Sequence, residues 1–251
     1  MKIIKTKEAW DQECGTLTGR SIGMVPTMGA LHAGHLSLIQ RCRSENDITV
    51  ASIYVNPTQF NNKKDLETYP RTLAEDCRLL EQDQTDYLFL PDYFQMYPDG
   101  YRYHVYETEL SEILCGAKRP GHFEGVLTVV LKLLAIIGPQ RAYFGEKDYQ
   151  QYLLIQGMAK AFFLRTSIVP CPIVREESGL ALSSRNRLLS AEGRLKASDF
   201  HRILSLGESV EVMERELKAQ GFIVDYVEEH FNRVFGAVFL EEVRLIDNVK
   251  R

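Results

Sequence analysis

SIGMVPTMGALHAGH, residues 21–35, is the stretch on which the fold turns. Residues 21–25 read as a short apolar strand and PTMG as a glycine-containing turn. H-x-G-H then opens a helix that continues through residues 36–43. A strand that runs through a turn into a helix start is the opening of a parallel α/β unit. His32 and His35 lie three apart and share one face of the helix's first turn. Gly34 between them has no side chain, so a ligand can approach the backbone. The helix start adds free N–H groups and a partial positive charge. Together these describe a polyphosphate site with imidazole N–H donors. A lone histidine here would more simply cap or pack the helix; the pair around a glycine favours phosphate.

Outward from this stretch, apolar runs at residues 48–55, 87–90, 141–144 and 167–174 alternate with helical patterns at 72–80, 126–137 and 149–163. Continuous apolar strands separated by helices predict an α/β fold, a Rossmann-like doubly wound parallel sheet covered on both faces. From Glu176 onward the pattern changes to a charged helix over 191–220 and strand-like stretches at 222–228 and 238–249. The expected organisation is a catalytic domain at residues 1–175 and a small C-terminal α+β domain at 176–251, expected to act as a lid and to associate with the dimer. Parallel sheets bind ligands at the carboxyl ends of their strands, and the remaining polar motifs fall there.

GEKDYQQ follows the strand at 141–144. Lys147, two residues beyond Gly145, suits a phosphate, Asp148 is placed to cap the next helix, and Gln151 faces the same crevice. A solvated charged turn is the plainer alternative. ALSSRN at residues 181–186 sets hydroxyls beside Arg185, which can follow charge as it moves toward pyrophosphate; an ordinary helix start reads equally well. In VNPTQF at 55–60, Pro57 fixes a turn and Gln59 offers both a donor and an acceptor to a small polar substrate.

No G-x-G-x-x-G or G-x-x-x-x-G-K-[ST] occurs, so a dinucleotide fingerprint and a P-loop are excluded. The net charge of -4 supplies no global basic field for nucleic acid. The five cysteines are scattered without a C-x-x-C pair, which suits reduced thiols and a cytoplasmic setting. The N-terminal residues lack a signal-peptide core, and the longest apolar run, 126–138, is too short to cross a bilayer.

The H-x-G-H stretch resembles the signature of the nucleotidyltransferase superfamily, which includes class I aminoacyl-tRNA synthetases. The ordered motifs PTMGALHAGH (26–35), VNPTQF (55–60), YPRTLAEDC (69–77), RPGHFEGV (119–126), RAYFGEKDYQQ (141–151) and ALSSRN (181–186), with RLIDN at 244–248, are together similar to the pantothenate synthetase (pantoate–β-alanine ligase) family. The resemblance implies ATP-dependent condensation of pantoate with β-alanine through a pantoyl-adenylate, in a cytoplasmic homodimer with no nucleic-acid or membrane partner.

It implies that Met28, Gly29, Ala30, Leu31, His32, Ala33, Gly34 and His35 contact ATP, with His35 catalytic and helped by His32, Lys147 and Arg185. Gly145, Glu146, Lys147, Asp148, Val174, Leu182, Ser183, Ser184 and Arg185 would complete the ATP site. Gln59, Gln151, Pro26 and Met28 would hold pantoate, and Glu75 and Asp76 would help to position Mg2+. Leu182 stands where the family more often has methionine, a volume-conserving exchange. The C-terminal domain is shorter than usual for the family. Two rival readings remain: a nucleotidyltransferase making a dinucleotide, which needs a second base pocket, and a non-catalytic ATP-binding regulator.

Overall fold

The computed structural model describes residues 1–251. The β-branched, apolar runs become the two central strands, β2 (Ile22–Thr27) and β3 (Ile48–Ile53), and every residue of β3 is buried. They belong to a six-stranded sheet with β1 (Lys2–Ile4), β4 (Tyr87–Phe89), β5 (Arg141–Gly145) and β6 (Ser167–Cys171). Its order is β1-β4-β3-β2-β5-β6, and every neighbouring pair is parallel. Strands after β2 in sequence first build to one side, through β3 and β4; the chain then returns to β2's other side with β5 and β6. The order therefore reverses between β2 and β5, which is where a doubly wound sheet opens a ligand crevice.

The expected helices form, with shifted ends. α2 (Ala33–Glu45) starts at the H-x-G-H stretch, and α8 (Tyr149–Ala161) follows β5. Before them, α1 (Lys7–Cys14) precedes β2, and α3 (Lys63–Glu67), α4 (Leu73–Gln82), α5 (Tyr93–Met96) and α6 (Cys115–Lys118) fill the span from β3 to residue 118. α7 (His122–Ile137) is apolar nearly all round and buries eleven of its sixteen residues, including Val126, Leu127 and Leu134. It approaches the chain at Thr58 and Gln59 so closely that a Cβ on Gly125 would lie 2.6 Å from the Thr58 carbonyl carbon. An alanine there would displace the Gln59 segment, so Gly125 sets how near α7 comes to the site.

The C-terminal part carries two helices where one was expected, α9 (Ala191–Leu204) and α10 (Val210–Ala219). Gly207, at a φ of 74°, lies in the turn that parts them. An antiparallel three-stranded sheet follows, β7 (Ile223–His230), β8 (Arg233–Leu240) and β9 (Val243–Lys250). Successive residues of β8 point to opposite faces, and both faces are covered. Phe235 and Ala237 join the core that contains Val126 and Ile155, while Val234 and Val238 pack with Phe200 of α9 and Met213 of α10.

Candidate active site

Pro26, Met28, His32, Gly34, His35, Gln59, Gly145, Lys147, Asp148, Gln151, Val174, Leu182, Ser183, Ser184 and Arg185 line one cavity of 230 Å³. It opens at the strand-order reversal, with the β2–α2 turn on one side and the β5–α8 turn on the other. Four separate motifs of the sequence thus converge on one place.

His32 is the N-cap of α2, and its Nδ1 accepts a hydrogen bond from the Gly34 amide at 3.1 Å. An acceptor at Nδ1 means that the proton sits on Nε2, so the ring presents a donor elsewhere. A Cβ on Gly34 would stand 2.9 Å from that ring. The glycine therefore makes room for the histidine as well as for a ligand. The His32 and His35 ring centroids are 4.0 Å apart, too close for both rings to carry charge. Burial, followed by the charges of Lys147 and Arg187, pushes His32 down to about 4. Burial, His32 and Lys147 push His35 well below the usual histidine range. Both are neutral donors at physiological pH. His35 Nδ1 is buried with no partner inside the protein, an arrangement that costs about 1–3 kcal/mol and suits a ligand.

Positive charge comes from elsewhere. Lys147, on the 3-10 turn Glu146–Asp148, holds its Nζ 3.7 Å from Asp148. Arg185 is clamped by Asp65 of α3, with contacts of 3.2 and 2.9 Å. Arg187 pairs with Glu75 and donates to the Leu31 carbonyl. Ser184 donates to the Ala30 carbonyl, tying the 183–186 segment to the β2–α2 turn. The Ser183 hydroxyl accepts from the Arg185 amide, which leaves its own proton free for the cavity.

On the other wall, Asn56 donates to Gln59 Oε1 and to the Gly125 carbonyl, and Gln59 Nε2 meets Met28 Sδ at 3.2 Å. The Gln59 amide is thereby held beside an apolar surface of Val126, Val129, Val130 and Leu133.

One expectation needs correction, and several other assigned residues have partners within the protein. Asp148 makes no capping hydrogen bond to α8 and instead lines the cavity. The Asp76 carboxylate takes the Ala30 and Leu31 amides at 3.0 and 2.8 Å and the Thr72 hydroxyl at 3.2 Å. Glu75, half exposed, pairs with Arg187 at 3.3 Å. The Glu146 side chain turns to Arg233 of β8, at 2.9 Å. Gly29, Ala30, Leu31 and Ala33 are absent from the cavity lining.

Two residues went unassigned in the sequence, although they stand in the RPGHFEGV stretch. His122, at the start of α7, donates from Nδ1 to the Gln59 carbonyl at 2.8 Å, so its Nε2 accepts from Arg119 at 3.0 Å. Arg119 forms no ion pair, and burial lowers it to about 10. It lines an adjoining cavity of 880 Å³ that shares Lys147, Asp148, Ser183 and Arg185 with the first. A half-buried cation without an anion is what a carboxylate ligand would complete.

Burial, then the Arg119 charge, holds His122 down at about 3. Folded His122 binds a proton less readily than unfolded His122, so its contribution is complete above about pH 6.5 and falls as the pH drops toward 3. By pH 5 the loss is roughly 2 kcal/mol. Urea unfolding at pH 7 and pH 5 is expected to show this loss, and H122Q is expected to lose that much less over the same interval. An unchanged interval in H122Q would contradict the assignment.

The Pantoate-beta-alanine ligase family model matches residues 2–250. The chain is 54% identical over 230 residues to the pantothenate synthetase of Bdellovibrio bacteriovorus, covering 92% of each chain. Its structure is similar to that of a pantoate-beta-alanine ligase from Francisella tularensis complexed with beta-gamma ATP and beta-alanine. The TM-score is 0.95 and the identity 43%, covering 100% of this chain and 97% of that one. The pantothenate synthetase of Thermus thermophilus gives 0.91 and 41%, covering 100% and 99%. The chain belongs to the pantoate–β-alanine ligase family.

Proposed function

We propose that this ATP-dependent pantoate–β-alanine ligase carries out both of its steps in the cavity at the β2–β5 strand reversal, with the residue roles that follow. ATP lies across the start of α2; Glu75 and Asp76, as the family resemblance implies, would help to hold Mg2+, which would supply neutralising charge to the phosphates. Gln59 and Gln151 hold pantoate, whose methyl groups suit the Val126, Val129 and Leu133 wall. The pantoate carboxylate is ionised at neutral pH and needs no general base. One of its oxygens forms a bond to the α-phosphorus while the bond to the bridging oxygen breaks, and pyrophosphate leaves.

Negative charge develops on the phosphoryl oxygens. Lys147 neutralises it directly, and His32 and His35 donate N–H groups to it without carrying charge. Arg185 exchanges Asp65 for departing pyrophosphate. The amine of β-alanine, in its neutral form, then attacks the acyl carbon; the C–O bond breaks, AMP leaves, and the new amide nitrogen sheds a proton. Arg119, a half-buried cation on the adjoining, connected cavity and without an ion-pair partner, suits the β-alanine carboxylate. Segment 60–70, which carries Asp65, covers the mouth and protects the anhydride from water. Residues 1–175 and 176–251 act as two units, the second closing the cleft, and the family membership supports a cytoplasmic homodimer.

The observation that carries this reading is the gathering of two neutral histidines and Lys147 around one cavity. Exchange of labelled pyrophosphate into ATP tests it. Exchange is expected with pantoate alone and absent without it. Exchange independent of pantoate, or none at all, would refute it.

A further inference from the structure

Three side chains of the C-terminal sheet reach the two segments that face ATP. Asn248, on β9, is 1% exposed and donates from Nδ2 to the Glu146 and Lys147 carbonyls at 2.9 and 3.0 Å. Its Oδ1 accepts from Arg233 Nη1 at 2.7 Å, and Arg233 Nη2 reaches the Glu146 carboxylate at 2.9 Å. The guanidinium of Arg233 also lies 3.9 Å over the Tyr149 ring, at the first residue of α8. The turn that carries Lys147 is therefore gripped at backbone, carboxylate and ring.

The preceding residue grips the other segment. Asp247 accepts from Arg175 Nη1 and Nη2 at 2.6 and 2.9 Å, and its side chain is 2% exposed. Arg175 also donates to the Gly179 carbonyl and bridges to Ala181, while Val174 accepts the Leu182 amide at 3.0 Å. This fixes the base of the loop that ends in Ser183 and Arg185. Neighbouring residues on a strand point to opposite faces, which is how one dipeptide serves two segments.

We propose that Asp247 and Asn248 are positioning residues for the ATP phosphates, Asn248 acting through Lys147 and Asp247 through the loop that ends in Ser183 and Arg185. The inference rests on the phosphate-handling role given above to Lys147. The β9 sheet then braces Lys147 and the loop that ends in Ser183 and Arg185 in the arrangement seen here. Neither residue touches substrate. Their effect is geometric, and misplacing a reacting or stabilising group by about 1 Å can lower a rate about 100-fold.

N248D is the sharpest variant, because it keeps the size and the acceptor for Arg233 but cannot donate to two carbonyls. The expected result is a 10- to 100-fold loss in pantoate-dependent pyrophosphate exchange, with the KM for pantoate within about threefold of wild type. The same change in a K147A background is expected to add less than about threefold, since the group it positions is already gone. ATP affinity, measured calorimetrically without pantoate, is expected to weaken in N248D but not further in the double variant. Wild-type exchange in N248D would overturn the proposal. So would equal losses in both backgrounds, which mark a general structural role. Wild-type enzyme lacking pantoate-dependent exchange would instead refute the functional reading, and the calorimetric comparison would still decide the brace.

Discussion

K147M is expected to lose about 1,000-fold in adenylate formation while remaining folded. The site gathers negative charge as the carboxylate closes on the α-phosphorus, and few free cations are present to meet it. Arg185 is paired with Asp65, and Arg187 with Glu75. Lys147 has only the 3.7 Å contact with Asp148. Removing one preorganised charge or donor from a transition state costs roughly 3–4 kcal/mol, or 100- to 1,000-fold. No hydrogen bond of the Lys147 ammonium is lost on truncation, so the thermal midpoint is expected to shift little. K147R is expected to recover only part of the rate, because a planar guanidinium is not a compact ammonium. Single-turnover formation of labelled pyrophosphate checks both. A loss below threefold in K147M would contradict the role.

H35A has the second-largest expected effect, a 100- to 1,000-fold loss in the same step. Its stability signature differs from that of an ordinary core truncation. His35 Nδ1 is buried without a partner in the ligand-free protein, and the ring is held uncharged. Truncation removes that orphaned nitrogen, which offsets lost packing, so the thermal midpoint is expected to hold within a few degrees while activity collapses. A midpoint drop above about 10 °C with near-normal pyrophosphate release would reverse the interpretation, making His35 a packing residue.

The parallel sheet was legible because β3 is rich in β-branched residues and buried throughout and α7 is apolar nearly all round, a pattern that suits a doubly covered layer. H-x-G-H and GEKDYQQ were legible because strand-end turns place such residues at the crevice. The three strands of the C-terminal sheet were harder to read. Their hairpins turn through Phe231-Asn232 and Glu241-Glu242, all at positive φ, in place of the Asn-Gly or Asp-Gly pairs that announce such turns. Edge strand β1 has three residues, too few to show any alternation.

At the site, the sequence carried residue types but not their partners. The family resemblance assigned Asp76 to Mg2+, and only the fold shows that the Ala30 and Leu31 amides reach its carboxylate. Arg119 lacked a signal because what marks it is that no carboxylate pairs with it in the fold. The positioning grip of Asn248 on Glu146 joins residues 102 positions apart in the chain, and no local pattern encodes it.

The central claim is that the pantoate carboxylate becomes bonded to the α-phosphorus of ATP. Pantoate labelled with oxygen-18 in its carboxylate, turned over with ATP and β-alanine, tests this directly by mass spectrometry of the products. The mechanism predicts one labelled oxygen in each AMP, because that oxygen stays on phosphorus when the acyl C–O bond breaks. Unlabelled AMP, or label in inorganic phosphate alongside ADP, would contradict it.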